Sequence, residues 1–239
     1  MKNENGEDRY VIRYRDLYPR KEPTPRHQPA RFSTSPTILF LVLIFLVGST
    51  ACTDIKRWAY EGFDRDEWQR PAEVIKALKI QPGDRVADLG SGSGYFTFRL
   101  ADAVGPTGKV FAVDIDAEMN ADLAKRVQEK GYQNIEVVLA QPNDPGLPDN
   151  TIDLIFSSNV YHHLEDRVRY FANLRQDLQP DGRLAIIDFN GEGWFQQLIG
   201  HYTPSDIIQR ELKEADYVLE AEFEFLPLQV FLIFARHPH

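Results

Sequence analysis

The stretch Val86-Ala-Asp-Leu-Gly-Ser-Gly-Ser-Gly-Tyr-Phe-Thr97 decides how the rest of the chain is read. A buried-strand pattern, Arg85 to Leu89, runs directly into Gly90, Gly92 and Gly94, and a helix-compatible stretch from Tyr95 to Ala103 follows at once. Three glycines at alternate positions let the backbone take positive φ and approach a ligand closely, while the unpaired N–H groups that open the next helix face that ligand. The expectation is a backbone cradle for a nucleotide-like molecule.

Working outward, strand and helix patterns alternate. A helix from Arg70 to Leu78 precedes the cradle, and Gly105-Pro-Thr-Gly108 leads from it to a strand at Lys109–Asp114. A helix from Ala117 to Lys130 ends at Gly131, a strand spans Glu136–Ala140, and the turn-rich segment Gln141–Asn150 is an irregular loop. Then come a strand at Thr151–Ser157, the loop Asn159–His163, a helix from Glu165 to Leu178, a turn at Gln179-Pro-Asp-Gly182 and a strand at Arg183–Asp188. Such alternation implies a parallel sheet. The tail reads as a helix, Pro204–Ala215, and two strands, Tyr217–Phe225 and Leu228–Ala235, joined only at Leu226-Pro227. Strands this close must be antiparallel, because a parallel crossover needs a dozen or more residues. No internal repeat is visible.

Composition narrows the function classes. A hydrophobic fraction of 43% and a charged fraction of 26% over 239 residues suit a globular α/β domain with an appendage rather than a polytopic membrane protein. Residues 1–34 carry eight Lys/Arg against five Asp/Glu, a balance of +3 in a chain of net charge −9, which leaves −12 on the remainder. An acidic body without a basic stripe argues against a nucleic-acid partner, since the phosphate backbone demands a positive footprint. The single cysteine, Cys52, allows no internal disulfide, and no Cys/His cluster has metal-ligand spacing. No metal is expected.

Ile38 to Val47 is an unbroken apolar run followed by Gly48-Ser-Thr-Ala-Cys52. That is short for a span, which wants about 20 apolar residues, but suits a signal core of roughly 7 to 15. The order basic, apolar, small, cysteine resembles a bacterial lipoprotein signal, with Cys52 at the lipidated position; Ser49, where such signals usually carry Leu, and the long leader depart from it. A short uncleaved anchor and a buried core helix are the competing readings, the last requiring a segment apolar on every face to be enclosed on all sides. Signal or anchor is expected, and either predicts membrane association through residues 38–52, at a bacterial inner membrane or as a lipoprotein, and leaves the side of the membrane open. The division expected is a basic leader at 1–34, a signal or anchor at 35–52, a linker or cap at 53–69, and the main domain at 70–239.

Four blocks in this order carry a family resemblance: VADLGSGSGYFT, the acid of VFAVDID, PNDPGLPDNTIDLIFSSNVYHHLED, and QPDGRLAIIDF. Residues 70 to 236 resemble a class I S-adenosylmethionine-dependent methyltransferase. The resemblance implies a doubly wound, Rossmann-like seven-stranded sheet, mostly parallel, with one antiparallel strand in a C-terminal hairpin. It implies S-adenosyl-L-methionine as cofactor, methyl transfer by in-line displacement, and a small-molecule acceptor. Gly90, Ser91, Gly92 and Gly94 would carry the methionine and ribose portion, Asp88 its ammonium, and Asp114 the ribose hydroxyls, with Ile115 beside it and Asp116 a competitor. Gln141, Pro142 and Asn143 fall where the adenine is covered; Asn143 or Asp144 would bond the adenine amine or else merely cap a turn. Ser158 and Asn159 would lie by the methionine end. His162, His163 and Asp188 are the candidate catalytic residues, with His201 a further possible base.

Aromatic residues Trp58, Tyr60, Phe63, Trp68, Trp194, Phe195 and Tyr202 fit either a lid over the acceptor or a packed cap. Two other functions stay open. A membrane-tethered, noncatalytic ligand-binding protein would explain a domain placed away from a cytoplasmic cofactor. A nicotinamide-dependent oxidoreductase also needs a glycine loop and an acid about 20 residues on, but its spacing is GxGxxG, whereas this chain reads GxGxG.

Overall fold

The computed structural model describes residues 65–191 and 202–237. The expectations for residues 1–64, including the leader, the apolar run and Cys52, lie outside the described residues. Among those residues the order is α1 (Arg65–Gln69), α2 (Pro71–Leu78), β1 (Arg85–Leu89), α3 (Thr97–Val104), β2 (Lys109–Asp114), α4 (Ala117–Lys130) and β3 (Ile135–Leu139). It continues through β4 (Ile152–Ser158), a 3-10 turn (Tyr161–His163), α5 (Arg167–Leu174), β5 (Leu178–Phe189), α6 (Ser205–Glu214), β6 (Tyr217–Phe223) and β7 (Gln229–Arg236). No helix among the described residues is long and apolar enough to cross a membrane.

The strands form one seven-stranded sheet in the order β3-β2-β1-β4-β5-β7-β6. Neighbours from β3 to β5 are parallel, and β7 runs antiparallel to both β5 and β6. The anticipated seven-stranded sheet with its antiparallel hairpin is therefore present. The chain winds outward from β1 through β2 to β3, then returns to lay β4 on the other side of β1. A crevice outside the carboxyl ends of β1 and β4 results, and ligands of doubly wound sheets bind at that reversal.

Helices cover both faces, so the central strands bury side chains on both sides and read as continuous apolar runs. Ile155, Leu184 and Ile186 join Tyr161, Phe171, Leu174, Ile208 and Leu212 in one core. Leu154, Phe156, Ala185 and Ile187, the alternate residues of the same strands, join Val74, Leu78, Phe96 and Leu100 in the other. Phe96 meets Phe156 edge-on at 4.8 Å, which sets the loop before α3 firmly on the sheet.

Several boundaries differ from the sequence expectation, three of them for visible reasons. α2 begins at Pro71 rather than Arg70, because Arg70 takes φ 43 and separates it from α1, and a residue before proline resists the helical region. The helix expected to reach Leu178 ends at Leu174, and the turn expected at Gln179–Gly182 lies inside β5. There Ile152 pairs with Leu178 and Leu154 with Arg183, so the turn formers bulge out while pairing resumes on either side.

Phe156→Ala is expected to lower the unfolding free energy by about 3–5 kcal/mol, measured by urea denaturation at constant m-value. A loss under about 1 kcal/mol would show that this core does not carry the loop above it.

Candidate active site at the β1–β4 crevice

The glycine loop is closed by its neighbours. The N–H groups of Gly90 and Ser91 both donate to the carbonyl of Val113 on β2, at 2.8 and 3.1 Å, and the Gly94 N–H donates to the carbonyl of Ser91 at 2.8 Å. Gly90 has φ 75, and a Cβ there would sit 2.1 Å from Val160 Cγ2; Gly94 has φ 82, and a Cβ there would sit 2.5 Å from Leu123 Cδ1. These two glycines are thus demanded first by the chain's own packing, with β4's outgoing loop on one side and α4 on the other.

Asp114, at the end of β2, is tied to this loop. Its Oδ2 accepts from the Gly92 N–H at 2.8 Å and its Oδ1 from the Asp116 N–H at 2.9 Å. Asp116, the competitor for its role, is instead the N-cap of α4 and accepts from the Glu118 and Met119 N–H groups at 2.9 and 3.1 Å. Ile115, between them, leaves 67% of its surface exposed beside the strand-end acid. Asn120, on the first turn of α4, donates its Nδ2 to the carbonyls of Asp114 and Val138 at 3.0 and 3.3 Å and so braces the ends of β2 and β3.

Asp88 is buried at the end of β1, where its Oδ2 accepts from Thr97 Oγ1 at 2.6 Å, joining the strand to the first residue of α3. Its Oδ1 accepts no hydrogen bond among the described residues. Burial pushes this carboxyl up to about 7, and the neighbouring Asp114 charge adds to that, while Thr97 and Arg65 pull it down. A buried acid poised there is a natural partner for a cation.

The loop after β3 is a tight turn in which Gln141 and Asp144 exchange backbone hydrogen bonds of 2.8 and 3.1 Å. Asp144 caps it by accepting from the Gly146 N–H at 2.8 Å; Gln141, Pro142 and Asn143 are exposed.

On the β4 side, Ser158 and Asn159 meet two residues that the sequence did not single out. Ser158 Oγ accepts from Gln69 of α1 at 3.2 Å, and Asn159 Oδ1 accepts from Gln229 of β7 at 2.6 Å. The histidine pair splits. His162 has only 5% of its side chain exposed and sets Nδ1 2.6 Å from Asp188 Oδ1, on a side chain that is fully buried. Asp188 also accepts from the His162 N–H at 2.9 Å. A carboxylate only accepts, so Nδ1 carries a proton towards Asp188. His163 is exposed, its ring centroid 4.0 Å from that of His162. Tyr161 is structural: buried under the 3-10 turn, it donates to Glu211 at 2.8 Å, whose carboxyl is held below its usual range by Arg167.

Among the aromatic residues, Trp68 stacks on Phe189 with centroids 5.9 Å apart, and Tyr202 is half-buried. Trp58, Tyr60, Phe63, Trp194, Phe195 and His201 lie outside the described residues. No group of three or more His, Cys, Asp or Glu residues able to hold a metal occurs among those described.

A family model described as "Methyltransferase domain" matches residues 80–221. The chain belongs to the methyltransferase-domain family. Its strand order and closing hairpin agree with the class I, S-adenosylmethionine-dependent branch, and the family match sets aside the nicotinamide-dependent alternative. A "SAM dependent methyltransferase" from Aquifex aeolicus superposes with a TM-score of 0.72 at 26% identity, covering 77% of this chain and 98% of that one. An arsenite methyltransferase of Halobacterium salinarum is 34% identical over 46% of this chain, which spans 28% of its length. A ubiquinone/menaquinone biosynthesis C-methyltransferase of Ectopseudomonas mendocina is 33% identical over 53% of this chain, which spans 49% of its length. The chain thus spans half or less of these two curated relatives.

The residues present fit S-adenosylmethionine. They supply a buried carboxylate for a cation, a strand-end carboxylate for a diol and an exposed isoleucine for a planar base. Ser91 Oγ and Asn120 Oδ1, both buried, have no hydrogen-bond partner among the described residues and lie at the loop and at the strand ends.

Asp88 yields a pH prediction. Its folded pKa lies well above the ordinary 3.8 of an aspartate, so its contribution to stability is present below about pH 4 and is lost as pH rises through about 7. Asp88→Asn keeps an acceptor for Thr97 and cannot ionise. In ligand-free urea titrations it is expected to match the parent at pH 4 and exceed it by roughly 2–4 kcal/mol at pH 7.5. A difference independent of pH would contradict the assignment.

Proposed function

We propose that this chain transfers a methyl group from S-adenosylmethionine to a small-molecule acceptor at the β1–β4 crevice. The observation that carries the reading is the bond from the Gly92 N–H to Asp114 Oδ2, at 2.8 Å, which presents glycine loop and strand-end acid as one surface. When bound, S-adenosylmethionine supplies a methyl group already activated by a sulfonium, so alignment, exclusion of water and removal of a proton are left to the protein.

In this reading Asp88 holds the cofactor's ammonium and Asp114 its ribose hydroxyls. Gly90, Ser91, Gly92 and Gly94 line the methionine and ribose portion, and Ile115, Gln141 and Asn143 border the adenine. Ser158 and Asn159 flank the methionine end. His162, oriented by Asp188, takes the acceptor's proton on Nε2, and the Asp188 charge stabilises the imidazolium that forms. His163 shapes the entrance. Trp68 on Phe189 keeps water from the acceptor side. The names of the relatives, an arsenite methyltransferase and a ubiquinone/menaquinone biosynthesis C-methyltransferase, and the acidic balance of the chain both favour a small acceptor over a nucleic acid.

Gly92→Val fills the loop and Asp114→Ala removes the diol acceptor; each is expected to weaken S-adenosylhomocysteine binding at least about tenfold by calorimetry. Unchanged affinity in both would overturn the site assignment. Bound cofactor with no methyl transfer to a broad panel of acceptors would favour the noncatalytic alternative.

We further propose that residues 38–52 tether the domain to a membrane. The support is the apolar run Ile38–Val47 behind a basic leader, with Cys52 after small residues. Membrane fractionation of the full chain is expected to find it in the detergent-extractable fraction, and replacing three leucines or isoleucines of the run by serine is expected to release it. Recovery of the unsubstituted chain in the soluble fraction would contradict the tether.

A further inference from the structure

Gln69 and Gln229 come together from positions 160 residues apart, and both are buried, at 0% and 3% exposure. Glutamine is mostly a surface residue, and a buried amide needs partners at both ends. An amide's two ends have the same shape, so orientation follows from the hydrogen-bond network. Here the network has a fixed head. Arg65 can only donate, and its Nε bonds Gln69 Oε1 one turn along α1.

Gln69 must therefore send Nε2 onward, to Ser158 Oγ at 3.2 Å and to Gln229 Oε1 at 3.5 Å. Gln229 then sends its own Nε2 to Asn159 Oδ1 at 2.6 Å. Reversing any one amide would set two donors or two acceptors against each other. The guanidinium thus decides the direction of the whole series, and the series ends on Asn159 with Oδ1 turned to Gln229 and Nδ2 bonded to nothing among the described residues.

Asn159 stands just past β4 in the left-handed conformation, φ 60, with its backbone N–H on the Ile187 carbonyl at 2.8 Å. The next residue, Val160, is the one that packs over Gly90. On the adjoining strand β1, Asp88 pairs with Phe156, three residues before Asn159, so one strand spacing of about 4.8 Å and about 10 Å along the strand separate them. The cofactor's ammonium and carboxylate share one carbon, so a ligand lying along the crevice with its ammonium on Asp88 extends its carboxylate towards Asn159.

Resting on the cofactor reading above, we propose that Asn159 Nδ2 donates to the α-carboxylate of the bound cofactor, and that Gln69 and Gln229 are positioning residues whose polarity holds that donor outward. The docking of α1 is thereby coupled to cofactor affinity. α1 has further anchors of its own, since Asp66 accepts from the Tyr95 hydroxyl at 2.5 Å and Trp68 stacks on Phe189.

Calorimetry on the full chain with two ligands tests this: S-adenosylhomocysteine, and 5′-methylthioadenosine, which lacks the amino-acid end. Asn159→Asp keeps an acceptor for Gln229 but puts a carboxylate where the donor was; it is expected to weaken S-adenosylhomocysteine about 10- to 100-fold and to leave methylthioadenosine within about twofold. Gln229→Met has similar length and no charge, and is expected to cost about 3- to 10-fold, again only for the ligand with the carboxylate. Equal losses for both ligands, or unchanged S-adenosylhomocysteine affinity in the two variants, would overturn the relay while leaving the cofactor site standing. Failure of the unsubstituted chain to bind either ligand would overturn the cofactor reading and the relay with it.

Discussion

A single carboxylate, Asp114, holds the crevice in shape. It accepts the Gly92 N–H at 2.8 Å and the Asp116 N–H at 2.9 Å, so the loop after β1 and the entry to α4 are fastened to the end of β2 at once. Hydrogen bonds to a charged group are worth about 1.5–3 kcal/mol each, against about 1 for a neutral pair. Carbonyl bonds from Val113 to Gly90 and Ser91 reinforce the same closure. The loop therefore arrives at its ligand already ordered, and little entropy remains to be lost on binding.

The other wall is built differently. β4 ends in residues held by side chains from distant elements: Ser158 by Gln69, Asn159 by Gln229, His162 by Asp188. Backbone closure on the β1–β2 side suits a cofactor whose shape does not vary; on the β4–β5 side Ser158 and Asn159 serve that cofactor's amino-acid end in the reading above, and the His162–Asp188 pair is left for the acceptor. α1 touches both walls, through Asp66 to Tyr95 and through Gln69 to Ser158.

Much of this was legible in the sequence because its signals are local. β1, β2 and α4 follow from a strand run, a glycine triplet and a capped helix, and their bounds match the expectation. Asp114 was distinguishable as a strand-end acid, and only the structure shows that Asp116, two residues on, caps α4. Gln69 and Gln229 carried no signal, because a glutamine reads as a surface residue until its partner, 160 positions away, is in place. The bulge in β5 was hidden for a similar reason: Gln179-Pro-Asp-Gly182 has turn chemistry, and β4 pairs on both sides of it regardless. The His162–Asp188 bond likewise depends on β5 lying beside β4.

The deciding measurement is a crystal structure of the chain with S-adenosylhomocysteine. Density is expected in the crevice between the carboxyl ends of β1 and β4, with both ribose hydroxyls on Asp114 and the amino-acid end between Asp88 and Asn159. Ligand density elsewhere on the sheet, or in this crevice with Asp114 turned away from it, would overturn the site.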